Sequence, residues 1–169
     1  MPAKNQTDNI SESFFSGLEA DKPPGFLFVD HVAIAVCAGE LESQVRMYRQ
    51  IGFRELHREE IGGSDQVREV LLQIGESPNL IQLVEPLSAE SPVQKQIERN
   101  GGRGGLAHVG LRVKSAQAAF DFLKAQGFQI IDKAPRPGSR GTTVFFIHPK
   151  SHQDAPFGVL YEVVEDPKN

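Results

Sequence analysis

Two histidines, a glutamine and two glutamates are the residues whose types and placement best suit chemistry. His31 stands in Val29-Asp30-His31-Val32-Ala33-Ile34-Ala35-Val36, and His108 stands 77 positions later in Leu106-Ala107-His108-Val109-Gly110-Leu111-Arg112-Val113. Gln82 in Ile81-Gln82-Leu83-Val84 precedes Glu162 in Tyr161-Glu162-Val163-Val164 by 80 positions. Imidazole nitrogens with amide and carboxylate oxygens, leaving positions for water or substrate, suit a divalent ion such as Zn, Co, Ni, Mn or Fe. A lone histidine in an apolar strand is more often structural than a ligand. Two histidines at equivalent positions of a repeat, joined by an equivalent Gln and Glu, favour a ligand set: His31, Gln82, His108 and Glu162. A carboxylate at Glu162, inside so apolar a run, is costly unless paired or metal-bound. Glu69 has no acidic counterpart in the second copy. It admits two roles, a strand-edge glutamate reaching solvent or a catalytic carboxylate lining a cavity. His57, beside Arg58, Glu59 and Glu60, reads as a solvated strand end, and His152 as a loop residue.

Ile51-Gly52-Phe53 recurs as Gln126-Gly127-Phe128, 75 positions on. With the offsets of 77 and 80, this implies two copies of one unit. Each histidine lies in a β-branched, apolar run that reads as a strand. Leu41, Val45, Tyr48 and Ile51 then mark a first helix stopped by Gly52. Ser115 reads as the N-cap of a second helix, striped by Ala116, Ala119, Phe120 and Leu123 and stopped by Gly127. Three more strands follow in each copy, over 53–60, 66–74 and 79–85, then 128–133, 142–148 and 158–165. The expected fold is therefore α+β, with two tandem βαβββ modules forming a curved, cup-like mixed sheet around a metal site. The predicted organisation is a flexible N-terminal arm (1–25) and a single domain (26–166). That domain comprises module 1 (26–87), a linker (88–104) with a short helix near 93–99, and module 2 (105–166). Strand alternation puts His31 on one face with Ala33 and Ala35, and His108 with Gly110; bulky residues take the other face. A face kept small around two histidines suits a cavity.

The 169 residues include one cysteine, Cys37, so no internal disulfide forms and a reducing, cytoplasmic setting is expected. The net charge of −4 gives no basic field for nucleic acid. No apolar run approaches the ~18 residues of a membrane span.

Paired βαβββ modules with metal donors on their first and last strands resemble the vicinal oxygen chelate superfamily. Within it, residues 28–165 are similar to the methylmalonyl-CoA epimerases. The segments carrying the likeness are Val29–Ala33, Glu55–Glu60, Ile81–Leu87 with Glu90-Ser91, Gly105–His108, Phe146–Lys150 and Gly158–Glu162. The resemblance implies one divalent metal (Co, Zn, Ni or Mn) held by His31, Gln82, His108 and Glu162, with Glu69 and Glu162 as the catalytic acid/base pair. It implies an acyl-CoA substrate, methylmalonyl-CoA, epimerised at C2 by proton removal and return through an enolate, and a homodimer. Arg99, Arg103, Lys133, Arg136, Arg140 and Lys150 are available to substrate phosphates, and Lys150 is the favoured substrate contact. The chain departs from the family at Ala107, where a second histidine is usual, and in a longer loop over 151–157. Three alternatives share the fold. A glyoxalase I-like isomerase (lactoylglutathione lyase) more often carries Glu at position 82. An Fe(II) dioxygenase would use His31, His108 and Glu162 as a facial triad. A metal-free binding module would need no acids at both 69 and 162.

Overall fold

The computed structural model describes residues 25–152 and 156–167. The arm expected over 1–25, apart from Gly25, and residues 153–155 of the long loop fall outside the described residues.

Eight strands form one sheet: β1 (Phe26–Ala35), β2 (Phe53–Ile61), β3 (Val67–Ile74), β4 (Leu80–Pro86), β5 (Gly105–Val113), β6 (Arg136–Pro137), β7 (Thr143–Ile147) and β8 (Tyr161–Glu165). Their order across the sheet is β2-β3-β4-β1-β5-β8-β7-β6. β1 and β5 pair antiparallel at the centre, flanked by parallel β4 and β8. The outer pairs are antiparallel. The fold is α+β with a mixed, curled sheet, as the repeat predicts.

Three helices accompany the sheet among the described residues: α1 (Leu41–Gln50), α2 (Pro92–Arg99) and α3 (Ala116–Ala125). The apolar stripe of α1, Leu41 and Val45, packs on Val36, Val70, Leu72 and Leu83. That of α3, Ala116, Ala119, Phe120 and Leu123, packs on Val113, Phe145, Ile147 and Val163. These partners alternate with the histidine positions, so α1 and α3 cover the back of the sheet and leave the other face for the site. α2 closes one end of the histidine face, where Ile97 and Val93 meet Ala33, Ala35, Val84 and Ala107. Ser91 caps α2 by accepting from the Val93 N–H, and Ser115 caps α3 by accepting from the Ala118 N–H. The first N–H of α1, on Leu41, donates to Glu85 Oε1 at 3.2 Å, and that of α3, on Ala116, donates to Glu165 Oε2 at 2.7 Å. Two buried carboxylates at equivalent strand ends thus satisfy orphan donors at two equivalent helix starts. No described helix is long and apolar enough to cross a membrane.

The second copy corrects one expectation. Residues 128–133 do not form a strand; they make a single bridge, Ile130 to Ile147. The edge strand is instead the two-residue β6, paired to Val144 and Thr143. Pro135 and Pro137 lack N–H groups and fix φ, which prevents a longer ladder. The Asp132 carboxylate accepts the Phe146 N–H at 2.7 Å, taking the place of a ladder bond. β8 also begins at Tyr161 rather than 158, after Gly158 turns the chain with φ 73°.

Candidate active site

Three adjacent strands, β1, β5 and β8, bring His31, His108 and Glu162 together. His31 Nε2 lies 3.0 Å from His108 Nε2 and 3.1 Å from Glu162 Oε2, and His108 Nε2 lies 3.4 Å from the same oxygen. Gly110 sits across from His31 on one side and from Glu162 on the other. A Cβ there would come within 2.5 Å of His31 Nδ1, so only glycine leaves room for the ring.

His31 is 1% exposed. Its Nδ1 meets Asp30 Oδ2 at 2.8 Å, while Asp30 Oδ1 accepts from Arg112 Nε at 3.1 Å and from a second guanidinium nitrogen. A bulge in the β1–β5 pairing between Val29 and His31 lets neighbouring residues 30 and 31 reach the same side. Burial opposes the His31 cation, but the hydrogen bonds and charges of Asp30 and Glu162 outweigh it and hold the ring near pKa 9. Burial likewise opposes ionised Glu162, and His108 and His31 overcome this to hold its carboxyl well below the usual carboxylate range. Phe146 closes the far side, edge-on to His108 with ring centroids 5.5 Å apart.

Gln82 lies on β4 in register with Ala33 of β1. Its Nε2 donates to Glu69 Oε2 at 2.7 Å. Glu69 is 3% exposed, so it does not reach solvent from a strand edge. Burial raises its pKa, Glu162 adds to the rise, and Ser139, Arg140 and His31 offset part of it. Gln82 Oε1 and Glu69 Oε1 are buried and without hydrogen-bond partners. A buried orphan acceptor costs roughly 1–3 kcal/mol unless something arrives to use it.

These features fit a divalent metal. Two imidazole nitrogens and a carboxylate oxygen aim at one point, and Gln82 offers an unused amide oxygen on the neighbouring strand. The donors are the borderline N/O type such ions take. A carboxylate on the far ring nitrogen, as Asp30 stands on His31, is the kind of outer partner that orients a ligating imidazole.

Lys150 is not drawn in. It lies in an exposed turn beyond β7, where its N–H donates to His148 Nδ1 at 3.1 Å. Arg136 is engaged by Asp132 and Asp65. Arg99 and Arg103 line a cavity of about 390 Å³ beside α2. His57 departs from its sequence reading. The inward positions of β2 alternate, so its half-buried ring meets Glu59 at 3.1 Å and lies close to Glu69 rather than in open solvent. Sequence reasoning missed Asp30, Arg112 and Phe146, and it offered Arg140 only as a contact for substrate phosphates. Asp30 carried a signal, an acid directly before a repeat-equivalent histidine, but plain alternation assigns it to the wrong face.

With this fold and site, the chain belongs to the glyoxalase/bleomycin resistance protein/dioxygenase superfamily, which it matches over residues 30–146. Among its relatives, an ethylmalonyl-CoA/methylmalonyl-CoA epimerase of Cereibacter sphaeroides is 32% identical over 124 residues, 72% of this chain and 88% of that protein. The methylmalonyl-CoA epimerase structure from Mycobacterium tuberculosis aligns with a TM-score of 0.76 and 32% identity, covering 86% of this chain and 91% of that one. A methylmalonyl-CoA epimerase solved with methylmalonyl-CoA and ammonium aligns with a TM-score of 0.73 and 32% identity, covering 83% and 95%.

Proposed function

We propose that this protein is a metal-dependent epimerase acting at C2 of methylmalonyl-CoA. The observation that carries the reading is the opposed surroundings of two largely buried carboxyls. Burial and the Glu162 charge raise the pKa of Glu69, whereas Glu162 faces the two histidine nitrogens, where positive charge, carried by protons or by a metal, favours its ionised form. Inversion at carbon requires this inequality, because one group must accept a proton while another already holds one to give. Glu69 comes from β3 and Glu162 from β8, with the central strands between them. They can therefore address opposite faces of a carbon held over the histidine pair.

His31, His108, Glu162 and Gln82 Oε1 would hold the metal. Bound there, a divalent ion supplies Lewis acidity toward the thioester carbonyl, without which the α-proton is too weakly acidic for a carboxylate base. Glu162 takes the proton from one face of C2, and protonated Glu69 gives one to the other; the roles exchange in the reverse direction. The Gln82 amide keeps the Glu69 carboxyl in place through Oε2 and leaves Oε1 free for the proton. Asp30 fixes the His31 ring. Phe146 and α2 screen the flanks from water.

The test is incubation of metal-loaded protein with methylmalonyl-CoA in D₂O, read by mass spectrometry. One deuterium should enter at C2, and either epimer should give the same mixture. A folded, metal-loaded protein that leaves C2 unlabelled yet isomerises a glutathione hemithioacetal would move the assignment to the glyoxalase reaction.

A further inference from the structure

Arg140 is a cation in the site that the reaction scheme does not use. It lies in a short 3-10 turn, Ser139–Gly141, and is one of two described non-glycine residues with positive φ, at 57°. Its N–H donates to Glu59 Oε2 at 3.0 Å, which holds the turn against β2. Its side chain reaches the histidine face. One terminal nitrogen stands 3.8 Å from Asp30 Oδ2, beyond hydrogen-bond distance, and Nε is buried with no partner.

Asp30 does not require this second arginine. Arg112 occupies its Oδ1 and His31 occupies its Oδ2. The same turn flanks Glu69, since both Ser139 and Arg140 act on its carboxyl. A guanidinium is always charged and presents a planar fork of donors that matches a carboxylate. Here the guanidinium is held beside the catalytic acid with its Nε unspent. A carboxylate attached directly to the reacting carbon would fall next to that acid.

We infer that Arg140 binds the free carboxylate of a malonyl-type thioester and so selects such substrates over neutral acyl-CoAs. This rests on the epimerase reading for the identity of the thioester. A neutral acyl group would leave the buried Nε unpaired, and an unmet charged donor discriminates more strongly than a missing methylene.

The experiment is calorimetric binding of malonyl-CoA and propionyl-CoA to metal-loaded parent, Arg140→Gln and Arg140→Lys proteins. The parent should prefer malonyl-CoA. Arg140→Gln should narrow that preference about tenfold or more, as expected for loss of a charge-assisted hydrogen bond. It should leave propionyl-CoA binding and metal content nearly unchanged, and Arg140→Lys should restore part of the preference. Comparable metal content and circular dichroism across the variants exclude a folding effect. An Arg140→Gln protein with the parent's full preference overturns the inference, as does a parent with no preference. Deuterium incorporation at C2 of methylmalonyl-CoA in D₂O is followed with the same protein preparations. A parent that shows an Arg140-dependent preference but no exchange keeps the carboxylate site and overturns the epimerase reading instead.

Discussion

Asp30 shows how much a single side chain decides. It orients the His31 ring, raises its basicity and anchors Arg112, all from a buried position. Asp30→Asn should lower metal affinity about 10- to 100-fold, the usual loss when an outer partner is removed, as measured by competition with a chelating dye. Glu69→Gln keeps an acceptor for the Gln82 amide but cannot hold an exchangeable acid proton. It should retain metal and lose deuterium exchange at C2 by on the order of 100-fold or more. The metal-free protein should also show opposite pH dependences for folding and for metal uptake. With His31 raised to about 9, its proton stabilises the metal-free fold fully below the unfolded value near 6.5. That contribution is lost as pH rises through 9. Metal must displace the same proton, so metal affinity should climb with pH up to about 9, with proton release detectable by calorimetry in buffers of different ionisation enthalpy. The convergence of His31, His108 and Glu162 was readable from the sequence because His31 with His108, and Gln82 with Glu162, are repeat partners. Asp30 was not, because a bulge suspends the alternation on which face assignments rest.

At the scale of elements, the strands and helices were legible wherever apolar spacing ran uninterrupted. α1 and α3 carry complete stripes and end where Gly52 and Gly127 take left-handed φ of 99° and 84°. Residues 128–133 had β-like composition but two prolines just beyond them, and the edge position of the segment let those prolines decide. The carboxylate closures of α1 by Glu85 and α3 by Glu165 were also repeat-equivalent, but nothing local distinguishes a strand-end glutamate that turns toward a helix from one that faces water. Glu85→Gln should destabilise the fold by roughly 1–2 kcal/mol, the range of a lost cap with its charge–dipole term, in chemical denaturation. Metal stoichiometry should be unchanged, since Glu85 lies at the helix end of β4 rather than among the ligands.

For the whole molecule, the decisive feature is the antiparallel seam of β1 against β5. The two strands contribute one histidine each, and the residues they pair stand 70 to 87 positions apart in the chain, from Ala35 with Gly105 to Phe26 with Val113. Removing metal with a chelator should therefore loosen the seam first. Hydrogen exchange at amides of β1 and β5 should rise while the α1 and α3 cores remain protected. Uniform deprotection would show that the metal supports the whole fold equally. The seam also sets an order of events during folding. Contacts between distant parts of a chain form slowly, so each half can collapse around its own helix before the two strands meet. Until they do, one imidazole is separated from the other by an unclosed loop, and no tight donor set exists. Cation capture at this site would act as a proofreading step for the chain: it would reward only molecules whose two halves have docked in register, because a slip of one residue would turn a histidine onto the wrong side of the sheet.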